Sequence, residues 1–282
     1  MASSSLSDVA LVLLATTPIL VVLYLMIGRQ WGGSKAGPAG MLTAILVSIF
    51  FFGAAGQLIL VALAKAVLLS LFVLYIVWMA LLLYHTVNDA GAITAIGQEL
   101  PGVAEGRAAQ ALLLAWVFGS FLQGATGFGV PAAVVAPLLV GIGFAASPAV
   151  VIALLGHTWA VTFGSLGSSF ISLIAATGVP GQELADPVAA LLAFAALGSG
   201  LAILWIVDKG SAVRRRGLFV LLLTIIMGGT QWLIARSGLY SLAALGAGLA
   251  GLLIAIPLLS RESGGEDTLA EGDTFAQRRN RL

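Results

Sequence analysis

The sequence Gln123-Gly-Ala-Thr-Gly-Phe-Gly-Val-Pro131 interrupts a long apolar stretch, and Gly156-His-Thr-Trp-Ala-Val-Thr-Phe-Gly-Ser-Leu-Gly-Ser-Ser169 interrupts it a second time. The whole stretch, residues 108–182, contains no Asp, Glu, Lys or Arg. It is long enough for three or four membrane spans of about 20 residues each. Broken backbone at membrane depth is tolerated only where protein or a water-filled cavity satisfies its polar groups. We therefore predict that the two segments approach each other inside a helix bundle, with at least one non-helical break.

The composition of the chain is that of an integral membrane protein. Apolar residues make up 60% of the 282 residues and charged residues only 9%, and the mean hydropathy is +1.09. A soluble domain carries about 25% charged residues to hold a hydrated surface. Glycine is frequent, at 35 residues, and in membrane bundles it lets helices approach closely.

The apolar runs predict an all-α, polytopic membrane helix bundle with interrupted or re-entrant helices. A short amphipathic helix is expected near residues 92–100, in the polar interlude before the core. With the core at 108–182, the chain holds about seven to nine hydrophobic segments. Outside that core, spans are expected at residues 9–28, 39–52 (or 39–60), 67–84, 187–207, 217–235 and 239–259.

Basic residues beside the spans predict how the chain is oriented. The loop at residues 208–216, which contains Lys209 and the arginines at 214–216, has the densest positive charge near any span. By the positive-inside rule this loop is cytoplasmic, and so is the first loop with Arg29 and Lys35. We therefore expect the N-terminus outside and the C-terminus in the cytoplasm, in a multi-pass protein of the plasma (inner) membrane. Residues 260–282, rich in Gly, Glu and Asp, are expected to form a disordered cytoplasmic tail.

Several classes of function are disfavoured by the residues present. With a net charge of +1 the chain has no electrostatic footprint for nucleic acid, and with no cysteine it has no thiolate metal site or thiol catalysis. Neither GxxxxGK[ST] nor HExxH occurs. A serine at 165 or 168 lies too close to His157 along one helix to make good nucleophile–base geometry. We expect no enzyme activity, no metal and no cofactor, and secondary transport is the better class.

The uncharged core limits how an anion can be held there. Without Lys or Arg, the remaining donors are backbone amides at the starts of interrupted helices, reinforced by hydroxyls. The amides of residues 126–130 lie just ahead of an apolar run that begins near Pro131, a favourable first helical residue. A glycine-rich helix crossing without a ligand explains the same residues. Gln123 likewise fits either a substrate contact or an interhelical hydrogen bond.

His157 is the one ionisable side chain of the core. If its helix is regular, His157, Val161, Gly164, Ser165 and Ser168 share one small, polar face that should line a cavity. An ionisable group inside a membrane is a candidate functional site, and histidine titrates near physiological pH as a proton carrier must. A neutral histidine hydrogen-bonded between helices is the alternative.

The motifs of the core resemble those of the L-lactate permease family. Phe118-Gly-Ser-Phe-Leu-Gln-Gly-Ala-Thr-Gly-Phe-Gly-Val-Pro131 is similar to the family's FGxFLxGAxGFGxP signature. Leu138-Leu-Val-Gly-Ile-Gly-Phe144 is similar to the LLVGxGF that follows, and Val161-Thr-Phe-Gly-Ser-Leu-Gly167 to its VxFGxxG segment. The resemblance extends over nearly the whole chain. It implies proton-coupled uptake of lactate or a related 2-hydroxymonocarboxylate such as glycolate.

Two departures from the family bear on mechanism. Some members carry Glu where Gln123 stands and Asn where His157 stands, so this chain lacks an acid at 123 for proton coupling and relies more on His157. Family members also have a second membrane half, and this chain resembles only the first. The resemblance thus implies that residues 1–259 form a membrane transport domain, one half of a transporter of the inverted-repeat type.

Two hypotheses of different class follow. In the first, the chain is a transporter or transporter subunit for a small hydroxycarboxylate, completed by a homo-oligomer or by a separately encoded second half. In the second, it is a truncated, non-transporting membrane protein or scaffold. For the first, we expect the lipid bilayer, the proton and a lactate- or glycolate-like anion as partners, with His157 as the proton-coupling candidate. The predicted substrate-binding residues are Gln123, Gly124, Thr126, Gly127, Phe128, Gly129, Thr158, Ser165 and Ser168.

Overall fold

The computed structural model describes residues 8–279, and these form helices joined by short turns. Two π-helical stretches, Tyr24–Gly28 and Leu112–Phe118, and one 3-10 turn, Thr158–Ala160, connect consecutive helices. The helices are α1 (Asp8–Leu23), α2 (Gly33–Phe50), α3 (Gly56–Asp89), α4 (Ala92–Val103), α5 (Arg107–Ala111), α6 (Gly119–Ala125), α7 (Val130–Gly141), α8 (Ala146–His157), α9 (Gly164–Thr177), α10 (Gly181–Arg236) and α11 (Tyr240–Arg279).

The lengths of the helices confirm a polytopic membrane bundle. Within residues 8–279, six helices are long and apolar enough to cross a membrane, and a seventh span results if the bent pair around residues 161–163 is counted as one. Helix α10 has 56 residues but leaves helical geometry at Asp208 and Lys209. A straight helix of that length would measure about 84 Å, far more than the roughly 30 Å of a bilayer core. Counting its two arms separately adds one more span, and the total agrees with the predicted range.

The chain divides into two compact units, and the first of them, Met1–Leu71, contains a helical hairpin. Helices α1 and α2 pack together at Gly40. An ideal Cβ at this glycine would collide with Val22 and lie 3.6 Å from the carbonyl oxygen of Pro18. The second helix begins at Gly33, earlier than the expected start at residue 39. The sequence-based position was wrong because the Gly32 carbonyl accepts bonds from the amides of residues 35 and 36, which makes the polar stretch the first helical turn.

The second unit, Phe72–Leu282, is built around the continuous helix formed by α5, the Leu112–Phe118 stretch and α6. All seven residues of the Leu112–Phe118 stretch are at most 1% exposed. A helix that is apolar on every side can be buried on every side, and α8, α10 and α11 pack against this one. Gly156 of α8 makes one of these crossings possible, because a Cβ there would collide with the carbonyl of Ala115.

The two arms of α10 form a hairpin whose bend is held by polar contacts. Arg215 and Ser211 both donate to the Asp208 carboxylate, each at 2.6 Å. Helix α11 then packs along α10, α6 and α9. This last helix continues beyond residue 259, where the sequence predicts the membrane domain to end, and residues 280–282 lie outside the described part of the chain. The division at 259 and the disordered tail therefore stay predictions.

Candidate functional site

The first interruption of the core is a short left-handed connection between α6 and α7, which we call the first break (residues 126–129). The Thr126 amide still donates to Leu122 O at 2.8 Å and completes α6. Gly127, Phe128 and Gly129 then adopt φ angles of +67°, +49° and +88°. Because glycine takes positive φ without a Cβ penalty, this motif can reverse the chain within three residues and begin α7 at once.

Three backbone amides of the first break remain unpaired within the described chain. The amides of Gly127, Phe128 and Gly129 donate to no backbone carbonyl, whereas the Val130 amide donates to Gly127 O at 3.0 Å. The sequence had suggested that all five amides from 126 to 130 converge on an anion. That number was too large, because the flanking two close the end of α6 and the turn into α7. The three free amides lie at the N-terminus of a helix, where the partial charge is positive.

The second interruption, which we call the second break (residues 158–167), separates α8 from α9 by a bend of 53°. A 3-10 turn follows His157, and Ser165, Leu166 and Gly167 then take left-handed φ angles of +52°, +54° and +77°. The Phe170 amide closes the loop by donating to Thr162 O at 3.1 Å.

The regular helix assumed for residues 157–168 is therefore wrong. The proposed shared face does not exist, because the left-handed turn rotates the chain between its members. Val161 is 41% exposed, while His157, Gly164, Ser165 and Ser168 are buried.

The two breaks meet in the interior of the second unit, which confirms the predicted approach. A Cβ at Gly127 would overlap the Ser165 hydroxyl and lie 2.7 Å from the Ser165 Cβ. A Cβ at Gly164 would lie 2.9 Å from Cγ and Nε2 of Gln123. Each glycine thus admits a polar side chain of the opposite segment, and the contact requires both.

His157 lies at the C-terminal end of α8 and is 7% exposed. Its Nδ1 is 2.7 Å from the carbonyl oxygen of Ala153. A carbonyl can only accept, so Nδ1 carries the hydrogen and Nε2 is the ring atom left to take up a proton. Gly119 of α6 faces the histidine, since a Cβ there would lie 3.9 Å from the His157 Cβ.

The predicted binding residues separate into an interior and an exposed group. The exposed group consists of Phe128, Gly129 and Thr158, and Phe128 is 49% exposed. All three were expected in the interior, so this part of the prediction was wrong. The Thr158 hydroxyl donates to Leu155 O of its own helix at 2.8 Å. The tip of the first break therefore lies at the protein surface because the left-handed turn carries it away from Ser165. The interior group is Gln123, Gly124, Thr126, Gly127, Ser165 and Ser168.

Not every interior residue has room for a ligand beside it. The space next to Gly124 is filled by the α11 backbone, since a Cβ there would lie 2.7 Å from the carbonyl carbon of Ala244. Gly124 is therefore a helix-crossing position. Thr126 donates its hydroxyl to Leu122 O at 2.8 Å.

Sequence reasoning missed Ser120, although it lies inside the quoted motif. Its hydroxyl is fully buried and lies 2.6 Å from Trp116 O and 3.4 Å from Gly156 O, so it joins α6 to α8 one residue before His157. A serine between two aromatic residues of an apolar run was the available signal. Among the described residues, no group of three or more His, Cys, Asp or Glu side chains could hold a metal ion.

Two broken helices thus meet at glycines inside the apolar bundle of a polytopic membrane protein. The L-lactate permease family model matches residues 11–270, and the chain belongs to that family. No solved structure matches the chain.

Curated relatives agree with the family match. The chain is 30% identical to the L-lactate permease of Bacillus subtilis over 183 residues, 64% of this chain and 32% of the relative. It is 29% identical to the glycolate permease GlcA of Escherichia coli over 168 residues, 59% of this chain and 30% of the relative. The L-lactate permease of E. coli is 28% identical over 183 residues, 64% and 33% of the two chains. The matched region thus covers about a third of the length of each of these relatives.

Proposed function

We propose that the chain is the transporter, or one subunit of the transporter, of lactate or a related small 2-hydroxymonocarboxylate such as glycolate. The observation that carries this proposal is the meeting of the two breaks, with Ser165 against Gly127 and Gln123 against Gly164. Relatives named for lactate and for glycolate are 30% and 29% identical to the chain over 183 and 168 residues. Both acids are small carboxylates with an adjacent hydroxyl, a size that suits a site made of backbone amides and short polar side chains.

The carboxylate is proposed to bind the three free amides of the first break. Residues 108–182 offer no Lys or Arg to hold it, and helix N-termini with unpaired amides are the usual alternative. The substrate hydroxyl is then proposed to lie toward Gln123, Ser165 or Ser168, which are all buried. Phe128 and Gly129 form the outer edge of this site because they are exposed.

Proton symport is proposed as the driving reaction. Carrying one negative charge inward against the membrane potential costs about 2.3 kcal/mol per 100 mV, and a proton that travels with it removes this cost. His157 is the ionisable side chain of the core, and its Nε2 is available to hold the proton. A bound carboxylate nearby would favour the protonated imidazole, so that substrate and proton favour each other's binding.

The functional assembly is proposed to contain a second membrane half, supplied by another copy of this chain or by a separate chain. In transporters built from repeats, the substrate site lies between the repeats, and the exposed edge at Phe128 and Gly129 is where a second half would complete it. In the plasma (inner) membrane, the loops at Arg29 and at Lys209 would face the cytoplasm.

Reconstitution into liposomes tests this function. The purified chain should accumulate labelled lactate or glycolate when an inward proton gradient is imposed, and unlabelled 2-hydroxy acids should compete better than acids without the hydroxyl. If the chain is inactive alone, co-reconstitution with a separately encoded second half should restore uptake. Absence of uptake in both preparations, with the protein folded, would instead support the non-transporting scaffold.

A further inference from the structure

The second arm of α10 carries buried polar groups that the two breaks do not use. Gln231 is 0% exposed and Thr224 is 7% exposed. Among the described residues, neither the Thr224 hydroxyl nor either polar atom of the Gln231 amide has a hydrogen-bond partner. The same holds for the indole N–H groups of Trp116 and Trp159, both fully buried. Buried groups of this kind are nearly always hydrogen-bonded in folded proteins, so each one calls for a partner.

Thr224 differs from other threonines in the helices of this chain. Thr86, Thr126 and Thr177 each donate their hydroxyl to the carbonyl four residues earlier, at 2.8 Å. That bond satisfies a threonine within its own helix and needs no other group. Thr224 forgoes it although it is buried. Its hydroxyl is therefore left to bond something beyond its own helix.

Trp116 lies where the two arms of α10 meet. An ideal Cβ added at Gly200, in the first arm of α10, would lie 2.6 Å from Val220 Cγ1 of the second arm and 3.2 Å from Trp116 Cε2. Thr224 is one turn beyond Val220 on the same face. The 3-10 turn that carries Trp159 also packs on α10.

Gln231 extends this row toward α11. It lies between Met227, whose Sδ is 2.8 Å from an ideal Cβ at Gly251, and Ile234, which packs on Gly246. Seven residues of helix separate Thr224 from Gln231, a rise of about 10 Å. One small molecule is too short to partner both.

We propose that a row of bound water molecules lies along the inner face of α10, with Thr224, Gln231 and the indole N–H groups of Trp116 and Trp159 as its protein partners. The indoles only donate, whereas the amide and the hydroxyl both donate and accept. Water accepts and donates equally and makes two to four bonds in buried sites, so it suits this mixture. Thr224, Gln231 and Trp116 lie outside both breaks, whereas Trp159 belongs to the second break.

Radiolytic labelling of the full chain in detergent tests the proposal directly. X-rays make hydroxyl radicals from bound water, and these oxidise side chains beside it even where bulk solvent has no access. We expect oxidation of Trp116 and Trp159 in the parent protein, with a several-fold loss at one or both in Gln231→Leu. Trp205, which is 61% exposed, should be labelled equally in both proteins. No oxidation of the two buried tryptophans in the parent would overturn the proposal. So would full protection of both by lactate, because the row would then be part of the substrate site.

Thermal unfolding gives a second measurement that does not depend on Gln231→Leu folding. If water bonds the Thr224 hydroxyl, Thr224→Val should melt several degrees below the parent, because the water loses a partner. If the hydroxyl is an unbonded group, the same variant should melt at or above the parent temperature, which would contradict the proposal. Thr177→Val is the matched control, since the exposed Thr177 bonds its own helix, and it should change the melting temperature little.

Discussion

Both breaks of the core interrupt a helix with left-handed backbone, but they use different residues. The first break turns through two glycines and an exposed phenylalanine, whose φ of +49° is its one strained non-glycine position, and it leaves three amides free. The second break is mostly buried and turns through Ser165 and Leu166, whose left-handed φ angles cost about 1–2 kcal/mol each. Such strain persists only where the surrounding structure imposes it. The comparison indicates that the first break is the part suited to meet a ligand, and that the second is a fixed wall beside His157.

The largest effect is expected where the two breaks touch. Gly127→Leu places a side chain into the Ser165 hydroxyl and does so at a φ of +67°, where side chains are strained. We expect uptake to be abolished and the detergent-solubilised protein to unfold at a lower temperature, while the chain still inserts into the membrane. Uptake in liposomes and a thermal-unfolding curve measure the two effects. Normal uptake by this variant would show that the breaks need not be in contact.

Gly129→Leu tests ligand binding at a position where the new side chain disturbs no packing. An ideal Cβ at Gly129 meets nothing within 4 Å, although its φ is +88°. The variant should therefore fold with a modest loss of stability, about 1 kcal/mol, and still lose uptake because its side chain covers the free amides. Gly178→Leu is the matched control, with a φ of +70° and equally open space at the end of α9. If the two variants transport equally well, the amides of the first break do not hold the substrate.

The existence of both breaks was predictable, but their form was not. Glycine, proline and hydroxyl residues in an uncharged membrane stretch must be broken backbone inside the protein, and the structure agrees for Gln123 and Ser165. The left-handed turn was not predictable, because a serine and a leucine carry no intrinsic preference for positive φ. As a result, the face assigned to Val161 was wrong. The interior placement of Phe128 and Thr158 was wrong as well, since both are exposed.

Helix ends were predicted less well than helix number. The α2 start at Gly33 depends on a backbone cap at Gly32 that has no side-chain signal. The span expected at residues 67–84 is part of the longer α3, Gly56–Asp89, because Lys65 is compatible with a helix when its side chain is exposed. Family motifs located the site, yet they did not distinguish Gly124, which meets α11, from Gly127, which meets Ser165.

A smaller and more selective effect is expected at His157, beside the second break. His157→Asn removes the one ionisable side chain of residues 108–182 and keeps a hydrogen-bond donor of similar size. Uptake driven by the proton gradient should fall, whereas exchange of labelled for unlabelled substrate, which needs no net proton movement, should continue. Family members with Asn at this position point to a rival route, in which the proton travels with the substrate. Full pH-driven accumulation by the variant would favour that route over histidine.

The smallest effect concerns the strain in the second break, and it tests whether that break is a fixed wall. Ser165→Gly should relieve the left-handed strain and raise the free energy of unfolding by about 1 kcal/mol, since glycine adopts positive φ freely. Ser168 follows the turn in helical geometry, so Ser168→Gly should lower stability by a similar amount and serves as the matched control. Chemical denaturation of both variants in the same detergent measures the difference, while uptake shows whether the Ser165 hydroxyl also contributes to binding. If Ser165→Gly is destabilised as much as Ser168→Gly, the hydroxyl packed on Gly127 contributes more than the strain costs, and the second break is held by that contact.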